Sequence, residues 1–138
     1  MRCVKGFTLL EILFYCIVLI ILVSTSVPLF LHMREQVRKE EAVSNLRVIL
    51  AAQRAYYIER KQFLALSPTG AGAKAENWAA LGIKNFNAVV PPIFEYSFSG
   101  GATLPANNCG RAVRADGPFA KRSIFIDADG TIDYSKWD

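Results

Sequence analysis

The side chains in this chain with chemistry to offer are carboxylates in two places. Thr8-Leu9-Leu10-Glu11 sets an acid at the head of an apolar run. An ionisable residue at the entrance of a membrane-length helix is costly and points to function. The same spacing is a capping box, with Thr8 as N-cap and Glu11 three residues on. A carboxylate there also favours the positive end of the helix dipole. The two readings are compatible, but capping leaves unexplained the short basic leader MRCVKG and the Phe7 that follows it. The second place is Asp127-x-Asp129-Gly130-x-x-Asp133. Three carboxylates invite a calcium reading, since hard cations take several oxygen ligands. The EF-hand template fails because its glycine position falls on Ile132. A β-hairpin around Asp129-Gly130 accounts for the same residues and is preferred, with Asp127 and Asp133 as flanking polar positions.

Little else in the composition supports catalysis. Three cysteines and one histidine in 138 residues do not supply a disulfide framework, a Cys/His zinc site or most His-dependent hydrolases. Cys3 lies in the leader, Cys16 in the apolar run, where it acts as a small hydrophobe, and Cys109 in the remainder, where it is expected buried. His32 is expected at the end of the apolar run without a chemical role. No nucleophile–base or acid–base constellation is visible, so an enzyme is not expected. The formal charge of +4 includes Arg2 and Lys5 of the leader, and what remains is far from a nucleic-acid-binding stripe. No cofactor is expected.

The elements that must position these residues follow from hydropathy. Every residue from Ile12 to Val23 is apolar or aromatic, and the run continues through Ser24, Thr25, Ser26 and Pro28 to Leu31. Twenty helical residues rise roughly 30 Å, the thickness of a bilayer's hydrocarbon core. About a hundred further residues could hardly wrap a core helix that is apolar on every face. A secretory signal would need a cleavage site and a break in pattern; Ser24-Thr25-Ser26 resembles the site, but helical periodicity runs straight on past Arg34. Arg2 and Lys5 on one side balance Arg34, Arg38 and Lys39 on the other, so charge leaves the topology open. Pro28 removes a backbone bond and marks a weak point, with Ser24, Thr25 and Ser26 beside it to satisfy freed groups.

Lys5-Gly6-Phe7-Thr8-Leu9-Leu10-Glu11, followed at once by the apolar span, resembles the type IV filament family, the prepilins and the pseudopilins of type II secretion. The resemblance implies cleavage between Gly6 and Phe7 by a membrane-embedded prepilin peptidase on the cytoplasmic side. It also implies N-methylation of the new Phe7 amine, a cytoplasmic leader and an extracytoplasmic body. It implies a helix that loosens near Pro28 on assembly, although Ile20 stands where many pilins carry a glycine. Major pseudopilins bind calcium near their C-terminus through a different loop, which keeps Asp127, Asp129 and Asp133 in view. Many pilins also staple this region with a cysteine pair; Cys109 has no such partner in the head.

Cleavage would give Glu11 a physical role. The α-amine of Phe7 would be largely cationic at neutral pH. Glu11 of one subunit can pair with that amine on a neighbour, since a paired buried carboxylate is tolerable where a lone one is not. Such a pair would set the axial register. A pair within one subunit, to its own Phe7 amine one turn away, is the competing arrangement.

The chain therefore divides into a leader (1–6), a transmembrane or filament-core half-helix (7–33) and a soluble head (34–138). The expected fold is α+β, pilin-like, with a helix from Phe7 to Lys61, roughly 80 Å long, on a small antiparallel sheet. Apolar residues at Ala42, Leu46, Ile49 and Tyr56, and at Val43, Leu50 and Tyr57, mark its packed side. Charges including Arg34, Glu35, Arg38, Glu41, Arg47 and Arg54 mark its wet side. Residues 62–93 read as an irregular connection with a short helix over Lys74–Leu81, closed by Gly82 and anchored by Trp78. Phe94, Tyr96 and Phe98 alternate with polar residues as a strand, Gly100-Gly101 turns the chain, and 110–115 forms a weaker strand. A hairpin pairs Arg122–Asp127 with Thr131–Tyr134.

The function implied is a structural subunit of a type IV pilus-like filament, polymerised from the bacterial inner membrane. The alternatives are a type II secretion pseudopilin and a non-polymerising membrane-anchored extracytoplasmic binding module. The implied partners are other pilin subunits, the prepilin peptidase and the inner-membrane assembly platform.

Overall fold

The computed structural model describes residues 8–68, 74–89 and 92–137. They fall into two units, divided between Lys39 and Glu40. One helix, α1 (Leu9–Arg60), contributes to both. It starts where Thr8 supplies the cap and ends at Lys61, whose positive φ of 56° breaks the helical path. The expected bound at Phe7 lies outside the described residues.

In the N-terminal unit, every described residue from Thr8 to Arg34 is exposed, including all the large hydrophobics from Leu9 to Met33. This part of α1 is long and apolar enough to span a membrane. The helix continues unbroken through Pro28. Ser24 Oγ donates to the Ile20 carbonyl (2.7 Å) and Ser26 Oγ to the Leu22 carbonyl (2.8 Å). The acceptor that Pro28 leaves without an N–H partner is the Ser24 carbonyl. These hydroxyl bonds therefore reinforce the preceding turn and do not replace the missing bond. Glu35, expected on the wet side, is buried, and its carboxylate lies 3.7 Å from the Arg38 guanidinium one turn on. Burial of a carboxylate is tolerable when a cation pairs with it.

The C-terminal unit is α+β. Four strands, β1 (Phe94–Phe98), β2 (Gly110–Arg114), β3 (Ser123–Ile126) and β4 (Ile132–Lys136), form an antiparallel sheet in sequence order. In β1 the buried positions alternate as the pattern predicts, Phe94, Tyr96 and Phe98 facing inward. They meet Ala112, Ile124 and Ile126 from the sheet and Ala42, Val43, Leu46, Ile49 and Leu50 from α1. The helix stripe recurs every three or four residues, which puts it on one face. A short helix, α2 (Ala75–Ala80), carries Trp78 into this core, and Gly82 closes it at φ +68°. The Trp78 ring meets Phe86 edge-on at 5.8 Å.

The connection after α1 is more ordered than its composition suggests. Leu66 exchanges both backbone bonds with Phe98 (3.0 and 2.7 Å), and Phe63 does so with Gly101 (2.7 and 2.9 Å). Gly100-Gly101 therefore does more than turn the chain: it runs beside 63–66. A Cβ at Gly100 would collide with the Ala65 backbone nitrogen, so only glycine lets the two backbones approach. A 3₁₀ turn, Phe86–Ala88, further interrupts the connection. The β3–β4 hairpin closes through Ala128-Asp129-Gly130, with Gly130 at φ +100° and its N–H donating to the Asp127 carbonyl at 3.0 Å. A three-residue loop of this kind needs a left-handed residue at its last position.

Candidate functional site

Thr8 caps α1 as expected. Its hydroxyl oxygen accepts the Glu11 N–H at 3.3 Å, and its carbonyl accepts from Glu11 and Ile12 at 3.1 and 3.2 Å. The Glu11 N–H, otherwise an orphaned helix donor, is thereby satisfied, and the Ile12 bond is the first of the regular helical ladder. The Glu11 side chain is exposed at the head of the apolar run. Gly6 and Phe7, the expected cleavage and methylation positions, lie outside the described residues, as does Cys3. Below Glu11 the helix presents apolar side chains on all faces, Cys16 among them. The arrangement is one charged group on an otherwise lipid-compatible surface, which can be stabilised by a cation brought to it.

Asp127, Asp129 and Asp133 are each engaged in a separate local structure. Asp127 Oδ1 accepts the Asn108 N–H at 2.6 Å, joining the hairpin to the chain before β2. Asp129 accepts both the N–H and the hydroxyl of Thr131 (2.8 and 3.0 Å), and these bonds hold its carboxyl below its ordinary pKa. Asp133 does the same for Ser135 (2.8 and 3.0 Å). Among the described residues no three His, Cys, Asp or Glu side chains are placed to hold a metal ion. The carboxylates act as turn and strand-end acceptors, the role the hairpin assigns them.

Cys109 is buried, and its thiol donates to the Ile126 carbonyl at 3.2 Å. Burial, with the nearby Asp127 charge, pushes its pKa up, away from a reactive thiolate.

Three amide side chains that the apolar pattern passed over organise the head. Gln53, fully buried, donates to the Leu64 carbonyl (2.6 Å) and accepts the Leu64 N–H (2.9 Å). Asn87 treats Tyr96 the same way, at 2.9 and 2.7 Å. Each amide presents one donor and one acceptor, as a strand neighbour would. Asn45 donates to the Tyr96 hydroxyl at 2.9 Å. Burial raises the Tyr96 pKa, opposed by that bond and aided by the Glu41 charge. The one sequence signal available for Gln53 was its place on the buried face of the helix, four residues after Ile49.

The chain matches no known protein family model, no curated protein and no solved structure.

Proposed function

We propose that this chain is a structural subunit of a type IV pilus-like filament, anchored in a membrane before assembly by the first half of α1. The observation that carries the reading is the capped carboxylate at the head of a helix whose apolar side chains are exposed on every face from Leu9 to Met33. An apolar cylinder of that kind needs lipid or other apolar helices around it. A carboxylate in such surroundings needs a cation, and the α-amine created by cleavage before Phe7 supplies one on a neighbouring copy. The C-terminal unit supports the reading by burying its own core, so it needs no partner to fold.

Leader processing tests it. In a host with a prepilin peptidase, mass spectrometry should find the membrane-bound chain starting at Phe7 with one added methyl group. Gly6→Leu should retain residues 1–6, because the peptidase needs a small residue there. An uncut wild-type chain, or normal cutting of the Gly6 variant, overturns the assignment. A pseudopilin would be processed identically. A non-polymerising membrane-anchored module would show the same membrane fraction and no filaments.

A further inference from the structure

The head contains a cavity of about 230 Å³ where α1, the 3₁₀ turn and β1 meet, and its lining is chemically two-sided. Glu41 on α1 and Lys84 before the turn both border it, and both are exposed. Among the described residues the two form no ion pair with each other, so both signs of charge border one cavity. Asn45 and Tyr96 also border it. Because the Asn45 amide N–H donates to the Tyr96 hydroxyl, the Asn45 carbonyl oxygen and the Tyr96 hydroxyl proton remain for a ligand. The raised pKa of Tyr96 keeps that proton in place at neutral pH. The remaining wall, including Phe86, Val89 and Ile93, is apolar.

We propose that this cavity binds a free α-amino acid with a branched or aromatic side chain. The ammonium group lies between the Glu41 carboxylate and the Asn45 carbonyl oxygen. The carboxylate takes the Lys84 ammonium and the Tyr96 hydroxyl, and the side chain covers the apolar wall. A zwitterion offers a partner to each of the two exposed charges, which a simple cation or a simple anion does not, and the volume suits one residue with a sizeable side chain. Such sites are typically apolar pockets with a few convergent polar groups.

The experiment is equilibrium dialysis of radiolabelled L-leucine and L-phenylalanine against the full chain in maltoside micelles. Saturable binding at millimolar ligand or below is expected. N-acetyl-L-leucine, L-leucinamide and glycine, which lack the ammonium, the carboxylate and the side chain, should each compete about tenfold less well or worse. Glu41→Gln should abolish the preference for leucine over its N-acetyl derivative, and Lys84→Gln the preference over the amide. Both positions are exposed, so unchanged circular dichroism is expected and separates loss of the site from loss of the fold. Absence of saturable binding overturns the proposal. So does glycine competing as well as leucine, or discrimination that survives both substitutions.

Discussion

The two halves of α1 share one backbone geometry and differ in what their side chains meet. From Thr8 to Arg34 every position is exposed, and the apolar residues follow no single face. From Ala42 to Gln53 the buried positions are 42, 43, 46, 49, 50 and 53, one stripe at helical spacing. The second half is held by a core of its own unit. The first half leaves its apolar side chains uncovered along its described length and is long and apolar enough to span a membrane. The comparison teaches that helical backbone alone does not distinguish the two roles; an unbroken apolar run against a single apolar stripe does.

The sharpest test is to damage one half and leave the other. Trp78→Ala should destabilise the C-terminal unit by about 3–5 kcal/mol, because a large buried side chain leaves a cavity. Trp78→Phe should cost less: the indole N–H is buried without an acceptor among the described residues, so its loss recovers part of the lost packing. Leu19→Ala, at an exposed position of the apolar half, should leave thermal unfolding of the same unit unchanged. Melting followed by near-ultraviolet circular dichroism in detergent reads all three. Equal loss from Trp78→Ala and Leu19→Ala would break the distinction.

Glu11→Val probes the apolar half under the proposed reading. If Glu11 pairs with a neighbour's amine, its loss strands a cation in an apolar core at about 3–5 kcal/mol in every subunit. Filaments should vanish while insertion and processing persist, and Glu11→Gln should impair assembly less. The Thr8 cap supplies the control: Thr8→Ala should cost only about 1 kcal/mol of helix stability. Filament yield by shearing and electron microscopy, beside membrane levels of processed chain, separates the outcomes. Normal filaments from the valine variant would reduce Glu11 to a residue of the first helical turn.

What was legible in the sequence, and what was not, divides along the same line. The apolar run, the Thr8 cap, the β1 alternation of Phe94, Tyr96 and Phe98, the Trp78 anchor and the 127–133 hairpin all rest on local pattern, and each is present. Gln53 and Asn87 do not show in the apolar pattern because polar residues gain value inside only when a backbone segment arrives to meet them, here Leu64 and Tyr96. Sequence spacing of nine to eleven residues carries no sign of that meeting. The pairing of 63–66 beside 98–101 is hidden for the same reason, since two isolated bridges at Phe63 and Leu66 leave no alternating run to read as a strand. Glu35 is the opposite case: the charge pattern places it in water, while the structure buries it beside the Arg38 guanidinium.

Gln53→Leu turns that lesson into a measurement. Leucine is close in size, so packing changes little, but the Leu64 N–H and carbonyl lose their partner inside the head. Leaving buried polar groups unsatisfied costs about 1–3 kcal/mol each, less whatever water recovers. A loss of about 2 kcal/mol is expected in urea unfolding of the C-terminal unit, with amide exchange at Leu64 accelerated beyond the global change. An unchanged midpoint would mean that the 61–66 segment contributes nothing to holding α1 to its core.

The smallest effect should come from pH, and it is confined to the head. Burial first, and the Asp127 charge second, raise the Cys109 pKa above its ordinary value of 9.0. The native state therefore keeps its thiol proton at a pH where the unfolded chain has released it. Stability is then fully present below the unfolded thiol's pKa and is lost as pH rises through the higher native value. The slope can reach at most about 1.4 kcal/mol per pH unit for one group. Cys109→Ala removes the thiol and should flatten stability between about pH 9 and 10. Above that, Tyr96, also raised by burial, adds a decline of the same sign that the cysteine variant retains. Urea midpoints at half-unit pH steps provide the check. A wild-type curve that stays flat above pH 9, or a decline that persists unchanged in Cys109→Ala, would show that the thiol–Ile126 contact gives the head no pH dependence.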